Sequence, residues 1–143
     1  MDGLIQQIWG SLKNGKIVSI QGDSGAGKSE TMSLLKCLLE KEGKRTIYLD
    51  MRHIKNSPHF FKEISSQLNL KRGYQREVYN ELKKGDISLL LDEYWAGSSI
   101  AFQTVKFAHS KGNDIVAIAG NPAGLNQDEY ILKRREDYSQ EER

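Results

Sequence analysis

Two hydrophobic rhythms alternate along this chain. Leu4, Ile5, Ile8, Trp9 and Leu12 recur at the spacing of one helical face, which predicts a short amphipathic helix near the N-terminus. Asn14-Gly15 turns the chain into Lys16–Gln21, a short apolar run that reads as a buried strand. Residues 28–42 return to helical spacing through Met32, Leu35, Leu38 and Leu39, with Gly43 as the stop. Thr46–Asp50 is a second strand. Ser57-Pro58 opens another helix, with the cap before the proline and Phe60, Phe61, Ile64 and Leu68 as its apolar stripe. Tyr74, Val78 and Leu82 predict a further helix. Asp86–Leu91 is a third strand, apolar enough to be central. Ala101, Thr104, Val105 and Ala108 mark a helix ended by Gly112, and Asp114–Ala119 is a fourth strand.

Strands that alternate with helices predict an α/β fold, a mainly parallel sheet with helices on both faces. The near-continuous apolar runs of the last two strands agree with burial on both sides. Beyond residue 123 the pattern fades into a mostly polar stretch, with Ile131, Leu132 and Tyr138 among its few large apolar groups. A chain of 143 residues fits one domain. The expected division is a core over 1–125 and a polar tail over 126–143, read as helical. Ligands of such sheets bind outside the carboxyl ends of the strands. Asp50, Asp92, Asn121 and a glycine-rich segment after the first strand all fall at that edge.

The glycine-rich segment carries the chemistry. Gly22-Asp23-Ser24-Gly25-Ala26-Gly27-Lys28-Ser29 fits the phosphate-cradling pattern G-x-x-x-x-G-K-[ST], between a strand and a helix as the motif requires. Glycines let the backbone curl close to phosphates without a clashing Cβ. The helix that follows adds its positive dipole end. Lys28 is expected to reach the β- and γ-phosphates, and the Ser29 hydroxyl to ligate Mg²⁺.

Leu89-Leu90-Leu91-Asp92-Glu93 supplies the other half. A hydrophobic strand ending in Asp delivers a carboxylate to a metal beside the phosphates. Glu93 is placed to polarise an attacking water, as general base or positioner. A group that activates water favours hydrolysis over transfer to a small alcohol, which must exclude water. Ala119-Gly120-Asn121-Pro122 ends the fourth strand. Its amide either holds the lytic water or reads the γ-phosphate, or the segment is a plain Asn-Pro turn.

In this order, Gly22–Ser29, Leu91-Asp92-Glu93 and Gly120-Asn121-Pro122 resemble the AAA+ ATPases, with their Walker A loop, Walker B Asp-Glu and sensor Asn. The likeness is greatest to DNA-transposition helper ATPases of the phage Mu type, and the tail Arg134–Arg143 is similar to theirs. The resemblance implies a three-layer P-loop NTPase fold that uses ATP and Mg²⁺. It assigns phosphate and metal binding to Lys28 and Ser29, the metal to Asp92, water activation to Glu93 and sensing to Asn121. It also implies homo-oligomers or a protein partner, with DNA as a further partner and a neighbour's arginine completing the site. Arg143, Arg134 and Arg135 compete for that last role. The chain departs from the family at its C-terminus, stopping where a fifth strand and a helical lid are expected. The competing functions are a small-molecule or nucleoside kinase, with Asp50 and Arg52 gripping an acceptor, and a nucleotide-gated scaffold that does not hydrolyse.

Composition changes this picture little. At 38% hydrophobic, 28% charged and net +2, the chain is an ordinary globular one, and the charge alone does not argue for nucleic acid. Basic residues gather at Lys41, Lys44 and Arg45, at Lys71, Arg72 and Arg76, and at Lys83 and Lys84, read either as solvated faces or as a phosphate-backbone patch. Three histidines and one cysteine form no metal-ligand pattern, so Cys37 is expected to be a small core residue of a cytoplasmic protein. No apolar run reaches membrane-spanning length. Tyr94 and Trp95, past the carboxylates, are placed to stack on a base or partner, or to pack under the next helix. Ile8 and Trp9 either cover an adenine or pack the sheet.

Overall fold

Among the described residues five strands build one sheet, every pair parallel, in the order β2-β3-β4-β1-β5. The computed structural model describes residues 2–22, 27–93, 99–118 and 127–132. The strands are β1 (Ile17–Gly22), β2 (Arg45–Asp50), β3 (Ile87–Asp92), β4 (Asp114–Ile118) and β5 (Gln127–Leu132). The helices are α1 (Asp2–Lys13), α2 (Lys28–Lys41), α3 (Ser57–Gln67), α4 (Gln75–Leu82) and α5 (Ser99–Ser110). A 3-10 turn, Met51–His53, joins β2 to the segment before α3.

Alternation of side chains along the strands divides the core in two. One face carries Val18, Ile20, Leu90, Val116 and Ile118, covered by α1 through Ile5, Ile8 and Leu12 and by α2 through Met32, Leu35 and Leu39. The other carries Ile47, Leu49, Leu89, Leu91 and Ile115, covered by α3, α4 and α5. This three-layer arrangement is the expected α/β fold. All residues of β3 are buried, as its apolar run implies for a central strand.

Several local expectations are corrected. Residues 127–132, expected in a helical tail, form β5, which pairs with β1 from Ile17↔Gln127 to Gly22↔Leu132. The fifth strand expected to be missing is therefore there. Its sequence alternates too weakly to read as a strand, and backbone pairing with β1 defines it. Cys37 is exposed, because α2 buries Met32, Leu35 and Leu39 and position 37 faces away from that stripe. Tyr74 is the N-cap of α4, not part of its apolar face, and is 60% exposed. The cap of α3 is Asn56, whose side chain accepts from the His59 amide at 2.9 Å, one residue before the expected position. Ile8 is wholly buried in the core and Trp9 packs partly buried against it, which favours the packing role for this pair.

A buried asparagine ties the helices to the sheet at the end opposite the strands' carboxyl termini. Asn113 donates to Leu82 O at 2.7 Å and Ala108 O at 2.8 Å, and accepts from Ile87 N at 3.0 Å.

Candidate functional site

The glycine-rich segment leaves β1 at Gly22 and enters α2 through Gly27. Gly27 adopts φ 90° and ψ 21°, a left-handed conformation in which a Cβ is strained. It caps α2 without any side-chain hydrogen bond to the first amides, so those donors have no side-chain cap. Thr31, buried in the first turn, donates its hydroxyl to Gly27 O at 2.9 Å, and its amide bonds the same oxygen at 2.9 Å, fixing where the helix begins. The Lys28 ammonium reaches back to Gly22 O at 2.6 Å, which brings it to the carboxyl end of β1. Ser29 follows on the exposed side of the first turn. Asp23, Ser24, Gly25 and Ala26 lie outside the described residues.

Asp92 closes β3 at the same edge of the sheet and is 6% exposed. The strand order puts β4 between β1 and β3, so two strand spacings separate Asp92 from the loop, about 10 Å across the sheet. A phosphate, a cation and a water fit across such a gap. Asp92 shares the register of Asp50 on β2, and alternation turns both toward the face covered by α1 and α2. The loop's own helix therefore lies on the side to which Asp92 points.

Sequence reasoning missed how Asp92 is held. The Tyr48 hydroxyl, from the neighbouring strand, donates to Asp92 Oδ2 at 2.5 Å. Burial first, and then this bond, push the Tyr48 phenol well above its ordinary pKa, so it stays a donor. The bond follows from which strands pair, a fact no local stretch of sequence contains. In parallel register, positions 48 and 92 are diagonal neighbours on one face. Tyr48 is fixed in turn by Gln67 of α3, whose side chain accepts from Tyr48 N at 2.9 Å and donates to Tyr48 O at 2.7 Å.

Glu93 has φ 54°, left-handed for a residue that carries a side chain. Among the described residues the other non-glycine with positive φ is Asn69, at 59°, a residue type that visits this region readily. Backbone strain in a glutamate next to a buried aspartate is a recurrent mark of functional sites. Arg52 is engaged by Asp50, with Nε to Oδ1 at 3.0 Å and a terminal guanidinium nitrogen to Oδ2 at 2.9 Å. That pair holds the Asp50 carboxyl below its ordinary pKa and the Arg52 guanidinium above its own, with Glu93 and Asp92 adding to the latter. Asp50, Asp92 and Glu93 thus make the edge acidic, and the pairing with Asp50 occupies the fork that a kinase reading would turn to a substrate.

The structure brings Gly22, Gly27, Lys28, Ser29, Asp92 and Glu93 to one edge. Asn121, Tyr94, Trp95, Arg134, Arg135 and Arg143 lie outside the described residues. Among the described residues no group of three or more His, Cys, Asp or Glu side chains is arranged to hold a metal, and no helix is long and apolar enough to cross a membrane.

No family model and no curated protein matches the chain. Solved structures do. Cdc6p from Pyrobaculum aerophilum matches with a TM-score of 0.64 at 19% identity, over 92% of this chain and 44% of that one. AMPPCP-bound DnaA from Aquifex aeolicus matches with a TM-score of 0.59 at 19% identity, over 89% and 44%. Drosophila ORC bound to DNA matches with a TM-score of 0.58 at 12% identity, over 93% and 46%. At these identities the likeness is one of fold, and the chain spans under half the length of each of these three structures. The fold shared with them is the three-layer one described above, a parallel sheet with helices on both faces.

Proposed function

We propose that this chain binds ATP with Mg²⁺ and hydrolyses it, and that nucleotide state governs binding of DNA or a protein partner. The observation that carries the reading is the meeting of Lys28 and Ser29 with Asp92 and Glu93 at one sheet edge, Glu93 in a left-handed backbone conformation. The donors suit the ion. Mg²⁺ prefers hard oxygens and takes one or two protein ligands beside phosphates and waters. The Ser29 hydroxyl and the Asp92 carboxylate would hold it, and when bound it neutralises charge on the β- and γ-oxygens. Lys28 exchanges Gly22 O for phosphate oxygen, a stronger, charge-assisted acceptor. The uncapped amides at the start of α2 add donors for the phosphates. Tyr48 keeps the Asp92 carboxylate turned toward the site. Glu93 orients a water for in-line attack and accepts its proton as general base.

Kinship with the DNA-transposition helpers, sensing by Asn121, assembly into homo-oligomers and completion of the site by a neighbour's arginine belong to the same proposal. They rest on Gly120-Asn121-Pro122 and Arg134–Arg143, and so on sequence. The test is phosphate release from ATP against Mg²⁺ and protein concentration, with and without DNA. Glu93→Gln is expected to keep ATP binding and lose turnover by about 10²–10⁴-fold. Full turnover in Glu93→Gln refutes the assignment. A rate per molecule that rises with protein concentration supports a site shared between subunits.

A further inference from the structure

The sequence holds three basic clusters, and the structure treats them differently. In the first, Lys44 is 3.8 Å from Asp114, and Arg45 bonds Glu81 at 2.7 Å and Asp86 at 2.8 Å. In the last, Lys84 meets Glu81 at 2.9 Å. The middle cluster stays uncompensated. Lys71, Arg72 and Arg76 are all exposed, and none makes an ion pair with another described residue. Between them stands Tyr74, at 60% one of two large apolar side chains exposed among the described residues. A glycine fixes this loop to the molecule. A Cβ on Gly73 would approach Lys62 Cα to 3.0 Å, so the loop lies against α3 at a closeness that only glycine allows comfortably.

We propose that this α3–α4 loop is a docking surface for single-stranded nucleic acid. The three cations fall within six residues of chain and can meet successive phosphates, and arginine suits phosphate by its planar fork. The tyrosine ring presents a π-face on which an unpaired base stacks without regard to sequence. A purely acidic protein segment would use the cations and leave the ring idle, and a duplex keeps its bases inside the helix. The surface deepens the partner half of the proposed function and rests on that reading for its DNA class.

The test is fluorescence anisotropy of a labelled oligo-dT strand with the full chain, without nucleotide, across a salt series. Tyr74→Ala is expected to weaken binding about five- to a hundredfold and leave the salt slope unchanged. The triple variant Lys71→Gln, Arg72→Gln, Arg76→Gln is expected to flatten the slope of log K against log salt by about 2, at about 0.7 per phosphate contact on a single strand. Thermal melts matching wild type exclude misfolding as the cause. No binding by wild type, no effect of either variant, equal competition by poly-glutamate, or a preference for duplex that ignores Tyr74 would each overturn the proposal. ATP turnover does not enter this measurement. An inactive chain whose oligo-dT binding responds as expected sinks the ATPase and keeps the surface, and an active chain without such binding does the reverse.

Discussion

Under the proposed function, Glu93 is the residue where activity and stability pull in opposite directions. An L-residue in the left-handed region costs about 1–2 kcal/mol, because its Cβ crowds the following carbonyl. Glycine at position 93 removes that strain but frees the unfolded chain, which offsets about 0.4–1 kcal/mol of the gain. Alanine removes the carboxylate and keeps the Cβ, so it is the proper comparator. Glu93→Gly is therefore expected to be more stable than Glu93→Ala by about 0.5–1 kcal/mol, or about 2–4 °C in Tm for a chain of this size. Both variants are expected to lose ATP turnover. Thermal unfolding followed by circular dichroism on wild type, Glu93→Ala and Glu93→Gly makes the comparison. An alanine variant that melts at or above the glycine variant would refute the strain argument, because the positive φ of Glu93 would then carry no cost.

Three further outcomes are expected. Asn113→Ala removes three buried hydrogen bonds and strands the Ile87 amide, so it is expected to cost about 3 kcal/mol, read from urea unfolding; a loss under 1 kcal/mol contradicts it. Tyr48→Phe frees the carboxylate of Asp92, and the Mg²⁺ needed for half-maximal turnover is expected to rise about tenfold, while ATP binding in EDTA is unchanged. The pH response follows from depressed carboxyls. Hydrogen bonds from Arg45 lower Asp86, and hydrogen bonds from Lys84 and then Arg45 lower Glu81. A depressed carboxyl contributes stability that is present above its unfolded pKa, about 4, and is lost as pH falls through the lower folded value. Arg45→Met is therefore expected to weaken the protein near neutral pH and to flatten the loss of stability below about pH 4. An acid-unfolding profile parallel to wild type argues against it.

Much of the fold could be read from the chain because the rhythms are clean. Strands buried on both faces gave unbroken apolar runs, and each helix kept its stripe. What escaped had specific physical causes. β5 is polar along half its length, and its strand character comes from pairing with β1, which no local window contains. Tyr74 continued a helical spacing one turn past the helix start, and periodicity cannot tell a capping residue from a buried one. The glycine-rich segment and the Asp92-Glu93 pair stand out in the sequence because each is a local motif, and the structure brings their described residues to one edge of the sheet. The Tyr48–Asp92 bond does not, because it depends on which strands become neighbours. Nothing in the residue type of Glu93 foretells its positive φ.

The Gln67 amide has a consequence for how copies of this protein can meet. β2 is the last strand on its side of the sheet, and Gln67 satisfies both the N–H and the C=O of Tyr48. A side chain here imitates the rung that another polypeptide would add. A visiting strand would have to displace it before it could extend the ladder at that level. At the level of Tyr48 this edge of the sheet is thereby guarded against strand addition by another polypeptide.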